Sequence, residues 1–178
     1  MRKNNKLMLF IDLILILTLL AVDQFTKYLA VIHLKNQPAF VLIDGVLELK
    51  YTENRGSAFG ILQNQKLFIL SVGVVFMAVL LFFLFKLPED KKYRVVHIAL
   101  SAIIAGGIGN MMDRIRFDYV VDFISFVLIN YPIFNVADCY IVVFTILLFL
   151  LFMFVYKESD LDFLNFRTKP ISGDGSDG

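Results

Sequence analysis

The chain predicts a mainly α-helical membrane protein with four transmembrane helices, and three observations point that way. Of its 178 residues, 58% are hydrophobic and only 19% are charged, against roughly 45–50% and about 25% in a soluble domain. Four stretches are long and apolar enough to cross a bilayer, which takes about 20 residues. The polar residues that remain gather at the ends of those stretches instead of covering a surface. Composition also excludes several functions. Seventeen Lys and Arg against sixteen Asp and Glu give a net charge of +1, so no basic field exists for nucleic acid. One cysteine, Cys139, permits neither an internal disulfide nor a thiolate zinc site, and two histidines make a histidine-rich metal centre improbable.

The expected spans are residues 7–31, 67–87, 95–112 and 136–156. The first follows Arg2, Lys3 and Lys6 as a secretory leader would, but Asp12 interrupts its apolar run and Leu19-Leu20-Ala21 is a poor cleavage site, so it reads as a retained span. With the N-terminus inside, the inner flanks hold Arg2, Lys3, Lys6, Lys86, Lys91, Lys92, Arg94, Lys157, Arg167 and Lys169, and the outer flanks only Lys35, Lys50, Arg55, Lys66, Arg114 and Arg116. The bias places both termini in the cytoplasm. A single membrane domain is expected over residues 1–156, followed by a cytoplasmic tail, 157–178, that ends in Ser-Gly-Asp-Gly-Ser-Asp-Gly and reads as disordered there.

Of the connections, residues 88–94 form a short charged inner loop. In the first outer loop, 32–66, Ala39–Ile43 and Val46–Thr52 flank Asp44-Gly45, a hairpin signal, and Leu47, Leu49 and Tyr51 alternate with polar residues as in a strand with one apolar face. The second outer loop, 115–135, surrounds Asp122 with Val120, Val121, Phe123 and Ile124. It is too short to cross and return, and is expected to rest at the interface as a short amphipathic element.

Ionisable groups within spans are costly and tend to be paired or functional. Here the topology brings them to one leaflet: Asp23 and Lys27 at the end of the first span, Asn110, Asp113 and Arg114 at the end of the third, Asn135 and Asp138 at the start of the fourth, and Asn54, Arg55, Gly56 and Asp122 in the outer loops. Taken singly, each has a plainer account. Asp23 and Lys27, four apart, make a helix ion pair; Asn135 and Asp138 make a helix cap; Gly106-Gly107-Ile108-Gly109 makes a close-packing helix surface; Arg114 snorkels. His33 and His97 read as surface or helix-end residues. A Cys139 nucleophile would need a histidine partner, for which only His33 lies on the outer side. Asp12, near the inner end, has no account.

Asp122 and Asp138 flank one connection, so the chain itself brings them to one depth. Two carboxylates close together at a dry boundary do not both ionise; one keeps its proton while the other acts as base. Such a pair can activate water, attack an amide and protonate the departing nitrogen. Arg114, Lys27 and the amides of Asn54, Asn110 and Asn135 can orient the pair or stabilise an oxyanion. A proton relay for a small transporter, or an inert scaffold, would use the same residues differently; transport further needs polar groups leading to the inner face.

Five motifs occur in order: Asp23-Gln24-Phe25-Thr26-Lys27, Asn54-Arg55-Gly56-Ser57-Ala58-Phe59-Gly60, Gly106-Gly107-Ile108-Gly109-Asn110 with Asp113-Arg114, Val120-Val121-Asp122-Phe123-Ile124, and Phe134-Asn135-Val136-Ala137-Asp138. Together they resemble the lipoprotein signal peptidase (signal peptidase II) family of bacterial cytoplasmic membranes. The resemblance implies a mainly α membrane protein with four transmembrane helices, a small extracytoplasmic β cradle and a short interfacial helix. It also implies an aspartic endopeptidase that removes the signal peptide before a diacylglyceryl-modified cysteine of prolipoproteins, with the site near the outer leaflet. By matching motif, Asp122 and Asp138 take the catalytic positions; Asp23, Lys27, Asn54, Gly56, Asn110, Arg114, Asn135 and Ala137 take positions that support the site or contact substrate. No metal or cofactor is expected. The expected partners are the lipidated prolipoprotein and membrane lipid, with a monomeric enzyme and globomycin as the family's inhibitor. Three departures are Ser57 for the common alanine, Asp118 for a common glycine, which puts a negative charge near the aspartates, and Cys139 for another small residue, which is expected to be tolerated.

Overall fold

The computed structural model describes residues 6–56, 65–129 and 131–164. In chain order these form α1 (Lys6–Leu34), β1 (Phe40–Ile43), β2 (Leu47–Asn54), α2 (Lys66–Lys86), α3 (Arg94–Phe117), β3 (Val120–Phe126) and α4 (Val136–Phe154). Short 3-10 turns at Lys91–Tyr93 and Glu158–Leu164 complete them. All four helices have the length and hydropathy of a membrane span. Arg2, Lys3, Arg167, Lys169, Ser57 and the tail end expected to be disordered lie outside the described residues.

The third span is the axle of the bundle. α1, α2 and α4 all pack on α3, and Ala99, Ala102, Ile104 and Ala105 of α3 are essentially inaccessible. Small residues permit that crowding, because backbones must approach closely when lipid gives helices no hydrophobic reason to associate. Its three glycines each face a different helix. A Cβ on Gly106 would meet the Ala137 carbonyl of α4, one on Gly107 the Met77 side chain of α2, and one on Gly109 the Asp23 carboxylate of α1. Outward side chains such as Leu13, Phe76 and Phe149 stay exposed, as lipid contact requires. α3 runs one turn beyond the expected span and ends where Asp118, at φ +67°, caps the helix in the left-handed region.

Above one end of the bundle lies a three-stranded antiparallel sheet in the order β1-β2-β3. Gly45, at φ +67°, turns the expected hairpin, pairing Phe40 with Leu49 and Ile43 with Leu47. The connection after α3 departs from expectation: instead of a short interfacial helix, its described residues contain β3, which pairs Leu49 with Ile124, Thr52 with Asp122 and Asn54 with Val120. The β-branched Val120, Val121 and Ile124 favour a strand, and the open edge of β2 offers unpaired N–H and C=O groups to one. Val121 and Phe123 then pack on Ala30 of α1, with Leu49 and Tyr51 against them, which seats the sheet on the helices.

Candidate active site

The site lies where β3 and the sheet-side ends of α1, α3 and α4 meet, and backbone demands build much of it. α4 begins with a capping box: the Asp138 N–H donates to Asn135 Oδ1 at 3.0 Å and the Asn135 N–H to Asp138 Oδ2 at 3.1 Å. This satisfies two otherwise orphaned donors and fixes the Asp138 side chain at the helix mouth. The Ala137 N–H, another free donor of that first turn, points at Asp23 Oδ1, 3.0 Å away on α1. Register then brings in Asp122, which stands opposite Thr52 in the sheet with its carboxylate turned inward.

The side chain of Asn135 joins the two acids, since its Nδ2 donates to Asp122 Oδ1 at 2.6 Å and to Asn110 Oδ1 at 3.2 Å. Asn110 Nδ2 in turn donates to Asp138 Oδ1 at 2.8 Å, and Asn54 Nδ2 to Asp122 Oδ2 at 2.9 Å. Each aspartate therefore accepts two N–H bonds, and Asn135 bonds to both. They line one cavity of about 250 Å³ with Asn54, Asn110, Arg114 and Tyr131. Burial, reinforced by the charge of Asp138, pushes the Asp122 carboxyl up to about 7. A group so placed holds or releases a proton near neutrality.

Beneath the pair is a buried charge cluster. Lys27 Nζ lies 2.9 Å from Asp23 Oδ2, 3.1 Å from Asp113 Oδ2 and 2.9 Å from Asn110 Oδ1. Gln24 Nε2 bridges the two carboxylates at 3.2 and 3.0 Å. Asp113 also accepts the Val121 N–H at 3.2 Å, so one carboxylate ties α3 to the strand that carries Asp122. On the other side, Arg114 donates to the Gly56 carbonyl at 2.9 Å and the Asn110 carbonyl at 3.2 Å, and the Gly56 N–H donates to Asn54 Oδ1 at 3.1 Å. All ten residues singled out from the sequence thus belong to one hydrogen-bonded assembly.

Asp113 and Gln24 stand in the motifs at these helix ends but are not among the expected site residues. Asp113 falls three positions after Asn110 on α3, so helical spacing puts the two on one face, and packing brings Lys27 of α1 against that face. His97 and Asp12 need the opposite correction. His97 lies at a helix end, in the first turn of α3, but not at the surface: it is buried, with Nδ1 at 2.7 Å from Asp12 Oδ2 and Nε2 at 3.3 Å from the Pro88 carbonyl, while Ser101 Oγ donates to Asp12 at 3.4 Å. The orphan acid of α1 has its partner on α3, at the end of the bundle far from the sheet.

Asp118 and Cys139 also acquire a place. The Asp118 carboxylate is exposed and pairs with Lys66, which holds it below the usual carboxylate range; its charge is taken up there and not at the aspartate pair. Its positive φ explains why glycine suits that position. Cys139 is half-buried and lines a second, apolar cavity of about 310 Å³ with Phe126, Phe134 and Val142, which meets the first at Asp138. His33 lines a different cavity, beside Leu49 and Phe123.

The sequence pattern of the family described as signal peptidase (SPase) II matches residues 15–154. The chain belongs to the signal peptidase II family. A lipoprotein signal peptidase from Caldanaerobacter subterraneus subsp. tengcongensis is 46% identical over 132 residues, covering 74% of this chain and 88% of that protein. One from Streptococcus thermophilus is 41% identical over 145 residues, covering 82% and 92%. Two solved bacterial membrane enzymes share the fold at a TM-score of 0.69, with 27% and 28% identity; the matches cover 90% and 82% of this signal peptidase II and 93% and 94% of those chains. Membership makes the chain a protease, and its four apolar helices make it a multi-pass protein of a bacterial membrane.

Proposed function

We propose that Asp122 and Asp138 are the catalytic pair of a membrane endopeptidase that cleaves diacylglyceryl-modified prolipoproteins immediately before the lipidated cysteine. The observation that carries this reading is the shared mooring of the two carboxylates: Asn135 bonds to both, and both line one cavity. With Asp122 holding a proton near neutral pH, Asp138 is the carboxylate; it stands at the third position of α4, where the helix dipole favours negative charge. A water between them gives a proton to Asp138 and attacks the scissile carbonyl, and Asp122 protonates the leaving amide nitrogen. Asn54 and Arg114, on the cavity wall, are donors for the substrate backbone or the developing oxyanion. The apolar cavity that meets this one at Asp138 suits an acyl chain or an apolar side chain of the substrate.

The wider reading has the sheet outside the cytoplasm, both termini inside, one membrane domain over 1–156, a monomer needing no cofactor, and globomycin as inhibitor. Asp23, Lys27, Asn54, Gly56, Asn110, Arg114, Asn135 and Ala137 position the pair or contact the substrate. A proton-relay reading is weaker, because Ile16 of α1 and Ile103 and Ile104 of α3, all buried, fall between the Asp12–His97 pair and the Lys27 cluster.

Asp122→Asn and Asp138→Asn are each expected to lower cleavage of a lipidated precursor by at least about 10³-fold in a gel-shift assay, with the protein still inserted and folded. Near-normal turnover by either variant would refute the pair.

A further inference from the structure

The end of the bundle opposite the aspartates holds a feature that peptide cleavage does not use. α2 and α4 both pack on α3, and between their far ends runs a cavity of about 380 Å³ lined by Phe83, Leu100, Leu148, Phe152, Leu161 and Phe163 among apolar residues only. Phe83 and Phe152 are 37% and 43% exposed, so the cavity opens sideways toward lipid. A void of this size without polar lining does not hold ordered water and takes up apolar matter.

Its floor is the Glu158–Leu164 turn, which lies beyond residue 154, where the family match ends. That turn is firmly held. The Tyr93 ring stacks on Tyr156 at 5.6 Å and meets Phe163 edge-on at 5.5 Å, while its hydroxyl donates to the Asp160 carbonyl at 2.7 Å. The Tyr156 hydroxyl donates to the Lys92 carbonyl at 2.6 Å, and Lys92 pairs with Asp160.

Charge at the rim is uneven in its availability. Glu89 accepts the Met8 N–H, Asp90 caps the Lys92 N–H, and Asp160 is engaged by Lys92 and the Lys157 N–H. Lys91, Arg94 and Lys157 are exposed and make no ion pair among the described residues; Glu158 makes none there either, and Asp162 stands in the same turn. An apolar slot rimmed by three available cations matches an acyl chain under an anionic headgroup. The same cations disfavour the basic start of a signal peptide.

We propose that this cavity binds an anionic phospholipid of the adjacent leaflet, one acyl chain between α2 and α4 and the phosphate on Lys91, Arg94 and Lys157. The site rests on the membrane reading of the helices but not on peptide cleavage.

The chain contains no tryptophan, so Leu148→Trp creates a single fluorophore on the cavity wall. Phe85→Trp places one on the outward face of α2 at a similar depth. In vesicles containing equal fractions of brominated phosphatidylglycerol or brominated phosphatidylcholine, the cavity tryptophan is expected to be quenched at least about threefold more by the anionic lipid. The Phe85→Trp protein is expected to show no preference, and adding Lys91→Gln, Arg94→Gln and Lys157→Gln to Leu148→Trp is expected to abolish it. Leu161→Trp gives the same reading from the floor should Leu148→Trp fail to fold.

Equal quenching by the two lipids, the same preference at Phe85→Trp, or a preference that survives loss of the three cations would overturn the proposal. Relief of quenching by a synthetic signal peptide would assign the cavity to substrate, and stronger quenching on adding Phe166→Ala would assign it to the chain's own tail; either overturns it. Quenching is read without substrate, so an inactive enzyme that still shows the preference separates the failure of one reading from that of the other.

Discussion

Asp122 is the residue whose chemistry is most sensitive to its surroundings. Its carboxyl stands at about 7 instead of 3.8 because burial disfavours its charge and Asp138 opposes it further. The folded protein therefore keeps a proton on Asp122 that the unfolded chain has already released between about pH 4 and 7. Its contribution to stability is present in full at the acid end of that window and is lost as pH rises to about 7. Activity should follow the same proton: kcat/KM is expected to fall tenfold per pH unit on the alkaline side of about 7, checked by a pH profile on one lipidated precursor; a flat profile to pH 9 would remove Asp122 as the acid. Lys27 tests the support beneath. It faces Asp23 and Asp113 with almost no solvent, so Lys27→Met leaves two buried carboxylates without a counter-charge, and the expected loss is about 3–5 kcal/mol, read by thermal unfolding in detergent. Asp113→Asn in the same background should recover part of that loss.

At the scale of elements, α3 decides how closely the rest can approach. Gly106 lies against the backbone of Ala137, one residue before Asp138, and an added Cβ would stand 2.6 Å from the Ala137 carbonyl oxygen. Backbone on one side and helix on the other leave no flexible atom to yield, so Gly106→Ala is expected to push α4 away from α3 at the level of the aspartate pair. A shift of that kind costs about 10²-fold in turnover, with substrate binding less affected; kcat and KM measured separately check it. Gly107→Ala meets only the terminal methyl of Met77, which can rotate aside, and serves as the tolerated control. The strand β3 shows why local pattern was an incomplete guide in the other direction. Val120 to Phe126 is apolar around a single aspartate, a pattern equally suited to an amphipathic element on lipid, and only the open edge of β2 made it a strand.

The whole molecule is polar at two levels and apolar between them. The site of Asp122 and Asp138 occupies the sheet end; Asp12 and His97 pin α1 to α3 at the other, with Ser101 beside them. Lipid-facing helices and an entirely exposed β1, Phe40–Ile43, complete an object shaped to lie in and on a bilayer. In the proposed orientation the excess of Lys and Arg at the far end faces the cytoplasm. In a Cys139→Ala background, an impermeant maleimide added to intact cells is expected to label Asp44→Cys in the hairpin and to spare Ser159→Cys beyond α4; the reverse pattern would invert the topology.

Four spans, a hairpin at Asp44-Gly45 and a crowd of polar residues at one leaflet were legible in the sequence because each rests on local physics: hydropathy over about 20 residues, a turn that tolerates positive φ and the cost of charge in lipid. The helix cap that fixes Asp138 was legible for the same reason, in the spacing of Asn135 and Asp138. The burial of His97 against Asp12 and the pairing of β3 with β2 join residues 66 to 85 positions apart in the chain. No local pattern encodes such partners, because burial and pairing are set by which helices share a face. Only the packed bundle decides that Asn135 reaches both aspartates and that both carboxylates line one cavity, which no helix cap read from sequence could foretell.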